Sequence, residues 1–181
     1  SLTTFRSPTR TGYDRGSAAA ILLSALEGMM DVNGEQLRIA AAILLAQSDF
    51  ETAGFSSLWN NNWGNIRAKT SLPFTLIPGA VDENIAGQHV VAQGEEDPLR
   101  VFRSYATPEE GCRAWLELIR DRYPWAWAVL LVASDDAESA ASFARALGDT
   151  ANPRQYYTAN RERYAAGVVA RWGACRKAVW Q

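Results

Sequence analysis

The chain has 181 residues, 48% of them hydrophobic, and a formal net charge of -2. That length supports one well-buried core, and no Gly/Ser/Pro-rich linker divides it, so a single domain is expected. The near-neutral charge and the lack of any long Lys or Arg run argue against dependence on nucleic-acid phosphates, and no apolar run approaches membrane-spanning length.

In chain order, residues 1–16 read as an irregular arm, and residues 17–181 as the domain proper. The chain opens Ser-Leu-Thr-Thr-Phe-Arg without a signal-peptide pattern, which leaves its destination open. Spacing predicts a first helix from about Ser17 to Met30, with Ala18, Ile21, Leu22, Ala25 and Met29 on one face. Asp31 to Gly34 is a turn, and Asn33 with Gln36 three residues later resembles a capping box for a second helix. Leu37, Ala40, Ala41, Leu44, Ser48 and Glu51 recur on one stripe of that helix, and Gly54 is placed to end it.

Residues 55–106 change character, with most of the Asn, several Gly and Pro, and short β-rich pieces at Phe74–Ile77, Gln88–Ala92 and Leu99–Ser104. A small two- or three-stranded flap at about residues 66–105 is expected over one end of a helical body, giving an α+β, mainly α class. Thr107-Pro108-Glu109-Glu110 is a strong helix start, and the helix it opens buries Cys112, Trp115, Leu116 and Ile119. Pro124 begins a further piece through Trp127 and Leu131, and Asp135 or Asp136 caps another carrying Ala140, Phe143, Ala144 and Leu147. After a loop from Asn152 to Thr158, a last helix from about Asn160 to Val179 carries Tyr164, Val168, Trp172 and Cys175 on one stripe.

Two features point to chemistry. Glu51 falls at the last turn of its helix on the inward stripe, where the partial negative charge of the helix end and loss of water both raise a carboxyl pKa. A general acid needs that property near neutral pH. The loop that follows sets Asn60, Asn61 and Asn62 between Trp59 and Trp63, amide and aromatic groups that suit a polyhydroxylated, N-acetylated sugar. The alternative is a loop whose Asn side chains bind its own backbone. Two Cys and one His cannot form a four-ligand cage, so no metal site is expected, and no cofactor either. Cys112 and Cys175 read as buried thiols, with a disulfide between them open if the protein works outside the cytoplasm. His89 reads as an exposed strand residue, Glu95-Glu96-Asp97 as a solvated turn, and Arg103 and Tyr105 as core-edge residues.

Glu51-Thr52-Ala53-Gly54, the run Asn60 to Arg67, Phe102-Arg103-Ser104-Tyr105, and Tyr157-Thr158-Ala159 followed by Tyr164-Ala165 resemble, in that order, the landmarks of bacterial and phage peptidoglycan glucosaminidases of the flagellar-muramidase type, glycoside hydrolase family 73. The resemblance covers roughly residues 36–170. It implies a lysozyme-like body with a small antiparallel β flap and cleavage of β-1,4 bonds in peptidoglycan glycan strands. Glu51 would be the acid, Glu83 a second carboxylate on the flap, and Tyr157 a residue facing the scissile sugar. Asn61, Asn62 and Trp63 would shape the cleft, with Trp59, Asn65 and Tyr156 completing the expected substrate contacts. The site of action would be the cell wall, reached by export or by phage delivery, including within a larger phage or secretion assembly. Ala53 interrupts the usual Glu-Thr-Gly order, and Asp49 stands where a small apolar residue is common. Muramidase or lytic transglycosylase activity on the same fold, and a catalytically silent wall-binding module, are the alternatives.

Overall fold

In the computed structural model the described residues are 10–56, 58–64, 66, 81–82, 88–91, 101–153, 155–157 and 160–181, and within the strands side-chain placement is described at Arg103 alone. The fold is mainly helical. Among the described residues the helices are α1 (Arg15–Glu27), α2 (Gly34–Glu51), α3 (Pro108–Arg122), α4 (Pro124–Val132), α5 (Ala137–Leu147) and α6 (Arg161–Val179). Three short antiparallel strands, β1 (Val81–Asp82), β2 (Gln88–Val91) and β3 (Val101–Ser104), pair in the order β1-β2-β3, with His89 opposite both Asp82 and Arg103. β2 and β3 fall within two expected strand segments, no strand was expected at β1, and Phe74–Ile77 lies outside the described residues.

Local chemistry sets the helix ends. The carboxylate of Asp14 accepts from the Ser17 amide at 2.8 Å, so α1 begins two residues earlier than its apolar spacing suggests. Asn33 caps α2 by accepting from the Gln36 amide at 2.8 Å, but the Gln36 side chain does not return to close a box. Its Nε2 donates instead to the carbonyls of Leu130 and Ala133, both at 3.0 Å, which are orphan acceptors at the end of α4. Thr107 accepts from the Glu110 amide at 3.2 Å, with Pro108 opening α3 and acidic and basic residues at its first and last turns. Asp136 caps α5, while Asp135 pairs with Arg176 of α6.

The expected stripe on α2 is a whole circumference: Leu37 and every residue from Ile39 to Asp49 are buried. Such a helix is enclosed rather than laid on a surface, and α2 packs most extensively against α6, and also against α1, α4 and α5. Four Ala residues in the α2 core let its neighbours approach, while Ile43, Leu44 and Leu45 supply bulk; truncating any one of these three to Ala would cost roughly 2–5 kcal/mol. Phe143, Leu147 and Trp115 complete the core from α5 and α3. Cys112 and Cys175 are buried and unbridged. Trp172, expected on the inward stripe of α6, is only partly buried. No helix among the described residues is long and apolar enough to cross a membrane.

Candidate functional site

Glu51 is the last residue of α2, and the chain beyond it turns sharply. Thr52 donates its hydroxyl to the Ser48 carbonyl at 2.7 Å and accepts from the Phe55 amide at 3.1 Å, while the Gly54 amide reaches back to the Asp49 carbonyl at 2.8 Å. Ala53, Gly54 and Phe55 are all left-handed, with φ of 50°, 71° and 65°. For the two residues with a Cβ that conformation costs about 1–2 kcal/mol each. Burial of the Phe55 ring, 1% exposed and edge-on to Trp63, holds the turn in place. Ala53 is therefore accommodated as one member of a tight left-handed reversal.

The turn leaves Glu51 half-buried beside a group of tyrosines. Tyr164, from the first turn of α6, donates its hydroxyl to Glu51 Oε1 at 2.6 Å. The same hydroxyl oxygen accepts from Nε2 of Gln47, one helical turn before Glu51, at 2.9 Å. Tyr157 stacks flat on Tyr164, with ring centroids 3.6 Å apart, and Phe50 meets Tyr164 edge-on at 5.1 Å. Tyr156 donates to the Gly64 carbonyl at 2.7 Å, and a Cβ on Gly64 would overlap both that hydroxyl and the Trp115 indole, so the Asn loop can close on α3 here only through glycine.

The tyrosines are firmly protonated. Burial pushes the Tyr164 hydroxyl well above the usual phenol range, and the Glu51 carboxylate adds to the effect. Burial does the same to Tyr156, again with Glu51 contributing. Tyr157 is pushed up to about 12, chiefly by burial. These groups donate hydrogen bonds throughout the physiological range. The hydroxyl of Tyr164 is thus a donor, not an acceptor, towards the Glu51 carboxylate.

Two residues earlier, on the other side of α2, Asp49 has no exposed surface. Its carboxylate receives Arg15 from α1 and, at 2.7 Å, Arg171 from α6, with the Cys175 thiol at 3.6 Å. The carboxylate is thus paired and hydrogen-bonded as a buried charge requires, and it ties three helices together. Burial, then the neighbouring Asp49 charge, pushes the Cys175 thiol up to about 12.

The Asn loop is folded on itself and on residues 10–14. Asn61 accepts from the Tyr13 hydroxyl, donates to the Tyr105 carbonyl at 2.9 Å, and offers its amide N–H to Thr11 Oγ1 at 2.8 Å. Asn62 donates to the carbonyls of Ile66 and Arg103, both at 3.0 Å, and accepts from the Ile66 amide at 2.8 Å. Both are buried, Asn60 and Asn61 adopt left-handed φ of 49° and 57°, and Trp63 is fully enclosed against Trp115, Tyr13 and Phe55. The Asn61 and Asn62 amides, expected to meet a ligand, are spent on the protein, which is the self-binding alternative for this part of the loop; as placed, they brace the wall of the site. Trp59 remains partly exposed, with the Arg10 guanidinium 4.9 Å above its ring.

Of the expected site residues, Glu51, Tyr156 and Tyr157 therefore come together. The Tyr157 hydroxyl donates to the Ala144 carbonyl at 2.9 Å, so the hydroxyl on Glu51 comes from Tyr164, a residue legible only as part of a core stripe. Gln47 was likewise not singled out, although its position four residues before Glu51 puts it on the same helix face. Glu83 and Asn65 lie outside the described residues. Among the described residues no three His, Cys, Asp or Glu side chains gather as metal ligands do. Compared with family models, curated proteins and solved structures, the chain finds no match.

Proposed function

We propose that this chain is a lysozyme-like peptidoglycan glycosidase that cleaves β-1,4 bonds in glycan strands, of N-acetylglucosaminidase type, with Glu51 as general acid. The observation that carries the reading is a half-buried carboxyl at the closed end of an enclosed helix, held at 2.6 Å by a tyrosine hydroxyl and set among further tyrosines. A rigid, partly desolvated acid next to aromatic surface is what protonation of a glycosidic oxygen requires, and such proton transfer contributes roughly two to four orders of magnitude in rate.

Positive charge developing on the sugar ring then needs compensation. Glu83 on the proposed β flap is the candidate base or nucleophile, and the substrate's own acetamido group is the alternative. A carboxylate separation of roughly 5 Å would indicate a nucleophile, and roughly 6.5–9.5 Å an activated water. Tyr156, Tyr157 and the partly exposed Trp59 offer aromatic faces to sugar rings, while Asn61, Asn62 and Trp63 hold the loop that walls the site. Targeting to the wall, in a phage, secreted or periplasmic setting, would rest on substrate fit or on another protein, since a chain of net charge -2 has no strong attraction to anionic wall polymers.

The test is digestion of purified peptidoglycan by the wild type and by Glu51→Gln, with products reduced by borohydride and weighed by mass spectrometry. Reduced N-acetylglucosamine ends from the wild type alone support the proposal. Reduced muramic ends would make it a muramidase, and anhydro-muramic ends a lytic transglycosylase. Binding to insoluble wall with no products from either protein would make it a silent wall-binding module.

A further inference from the structure

The short segment ahead of α1 has no role in the reading above, yet it lies along the Asn loop. Its near end is pinned to the helical body: Asp14 caps α1, and Arg15 pairs with the sealed Asp49 carboxylate of α2. From there residues 10–13 run beside residues 58–61. The Thr11 amide donates to the Leu58 carbonyl at 2.9 Å, the Asn61 amide donates to Thr11 Oγ1 at 2.8 Å, and the Tyr13 hydroxyl donates to Asn61 Oδ1. Arg10 forms a β-bridge with Trp59 and lays its guanidinium 4.9 Å from the ring centre. We infer that residues 10–13 are a strap that holds the Asn loop in its path, and that Thr11 and Tyr13 are positioning residues for the wall of the candidate site. The positioning role rests on the proposed function; the strap does not.

Asn61 divides its polar groups between two sides. Towards β3 and α3, its Nδ2 donates to the Tyr105 carbonyl at 2.9 Å, and its own carbonyl lies so close to Gly111 that a Cβ there would overlap it. Towards the strap go its amide N–H and its Oδ1. Asn61 is 6% exposed, so both groups depend on the strap for their partners. With the strap displaced they turn to water, and the left-handed path of Asn60 and Asn61 is then held from one side alone.

Packing and sterics keep the strap where it is. The Tyr13 ring centre lies 5.4 Å from that of Trp63 and 6.4 Å from that of Phe55. Its hydroxyl, pushed up to about 12 chiefly by burial, is a donor at any physiological pH. Gly12 passes so near the turn after α2 that a Cβ would stand 2.7 Å from the Phe55 carbonyl oxygen, a backbone atom that cannot swing aside. The other end of the loop is held separately, where Ser48 donates to the Trp63 carbonyl at 2.8 Å and Tyr156 to that of Gly64 at 2.7 Å. Displacing the strap therefore frees residues 58–61 and leaves Glu51 with its tyrosine.

The test uses the full chain and reads the loop directly, by amide hydrogen exchange followed by NMR. Thr11→Val keeps the shape and removes the acceptor, whereas Gly12→Val keeps every polar group and pushes the strap off Phe55. Both are expected to speed exchange of the Asn61 amide by at least about tenfold while the core amides of α2 stay protected. On glycan strands both should raise KM several-fold and leave kcat within about twofold of the wild type. Tyr13→Phe, which keeps the ring without the hydroxyl, should act in the same direction and less. Unchanged Asn61 exchange in both valine variants, or exchange quickened equally in α2, overturns the strap. Faster Asn61 exchange at an unaltered KM, in a protein that digests the wall, overturns the positioning role. Faster exchange with no glycan products from the wild type sinks the proposed function, and the positioning role with it, and leaves the strap standing.

Discussion

The two sides of the end of α2 carry carboxylates two residues apart and treat them in opposite ways. Asp49 is sealed from water and meets two guanidinium groups, and its work is to join α1, α2 and α6. Glu51 is half-buried and meets a neutral tyrosine hydroxyl, itself held by a neutral amide. The two carboxylates thus sit in different surroundings on one helix, and part of the difference lies in what α6 presents to each side: Arg171 to one, Tyr164 to the other.

The contrast can be broken most forcefully at Glu51. Glu51→Gln removes the exchangeable proton while keeping size and polarity, and wall digestion is expected to fall by at least about 10^2–10^4-fold. Its melting temperature should stay close to that of the wild type. The complementary change, Asp49→Asn, should leave a protein that still digests the wall but unfolds more easily. Removing one partner of a buried pair typically costs roughly 3–5 kcal/mol. The side chains of Arg15 and Arg171 are 41% and 34% exposed and can recover water, so a loss of roughly 2–3 kcal/mol is expected, each kcal/mol lowering the melting temperature by roughly 2–4 °C. Activity lost in parallel with Glu51→Gln, at unchanged thermal stability, would show that the two sides are not separate.

The local half of this design is legible in the sequence. Thr107-Pro108, Asn33 and Asp136 start helices where their side chains find amides three residues on, because capping is decided within one turn. What sequence spacing does not carry is the identity of a distant partner. Asp49 looks out of place in a row of small apolar residues, and its explanation lies 34 residues upstream in Arg15 and 122 downstream in Arg171. Tyr164 is readable as an inward aromatic, but not as the donor to an acid 113 residues away. Gln36 completes a capping pattern on paper, yet its side chain is claimed by carbonyls of α4, more than 90 residues on. The Asn-rich loop shows the limit most clearly, since composition fits ligand amides and self-bonded amides equally, and burial alone favours the second.

Alkaline pH sharpens the contrast without a mutation. Burial raises Tyr13, Tyr157 and Cys175 to about 12, and raises Tyr156 and Tyr164 well above the usual phenol range. In the unfolded chain these groups ionise near their ordinary values, so the folded state holds its protons more tightly. Their contribution to stability is full below about pH 9 and declines as pH rises towards 12. Thermal unfolding followed from pH 7 to 11.5 should show a plateau and then a fall, with tyrosinate absorbance appearing together with unfolding. Early, gradual tyrosinate absorbance in the folded protein would mean that the tyrosine cluster beside Glu51 is wetter than its geometry implies.

The smallest effect separates the two stacked tyrosines. Tyr157 gives its hydroxyl to the Ala144 carbonyl, whereas Tyr164 gives its own to Glu51. Tyr157→Phe removes one partly buried hydrogen bond and keeps the stacked ring, for a stability loss of about 1 kcal/mol. It should leave the titration of the Glu51 carboxyl where it was, while Tyr164→Phe moves that titration up. A sugar-facing role for Tyr157 would appear instead as a raised KM on wall fragments, read at constant carboxyl titration. If Tyr157→Phe shifts the carboxyl as far as Tyr164→Phe does, the acid is served by the stacked pair as a unit, and the assignment of one hydroxyl to one carboxylate oxygen fails.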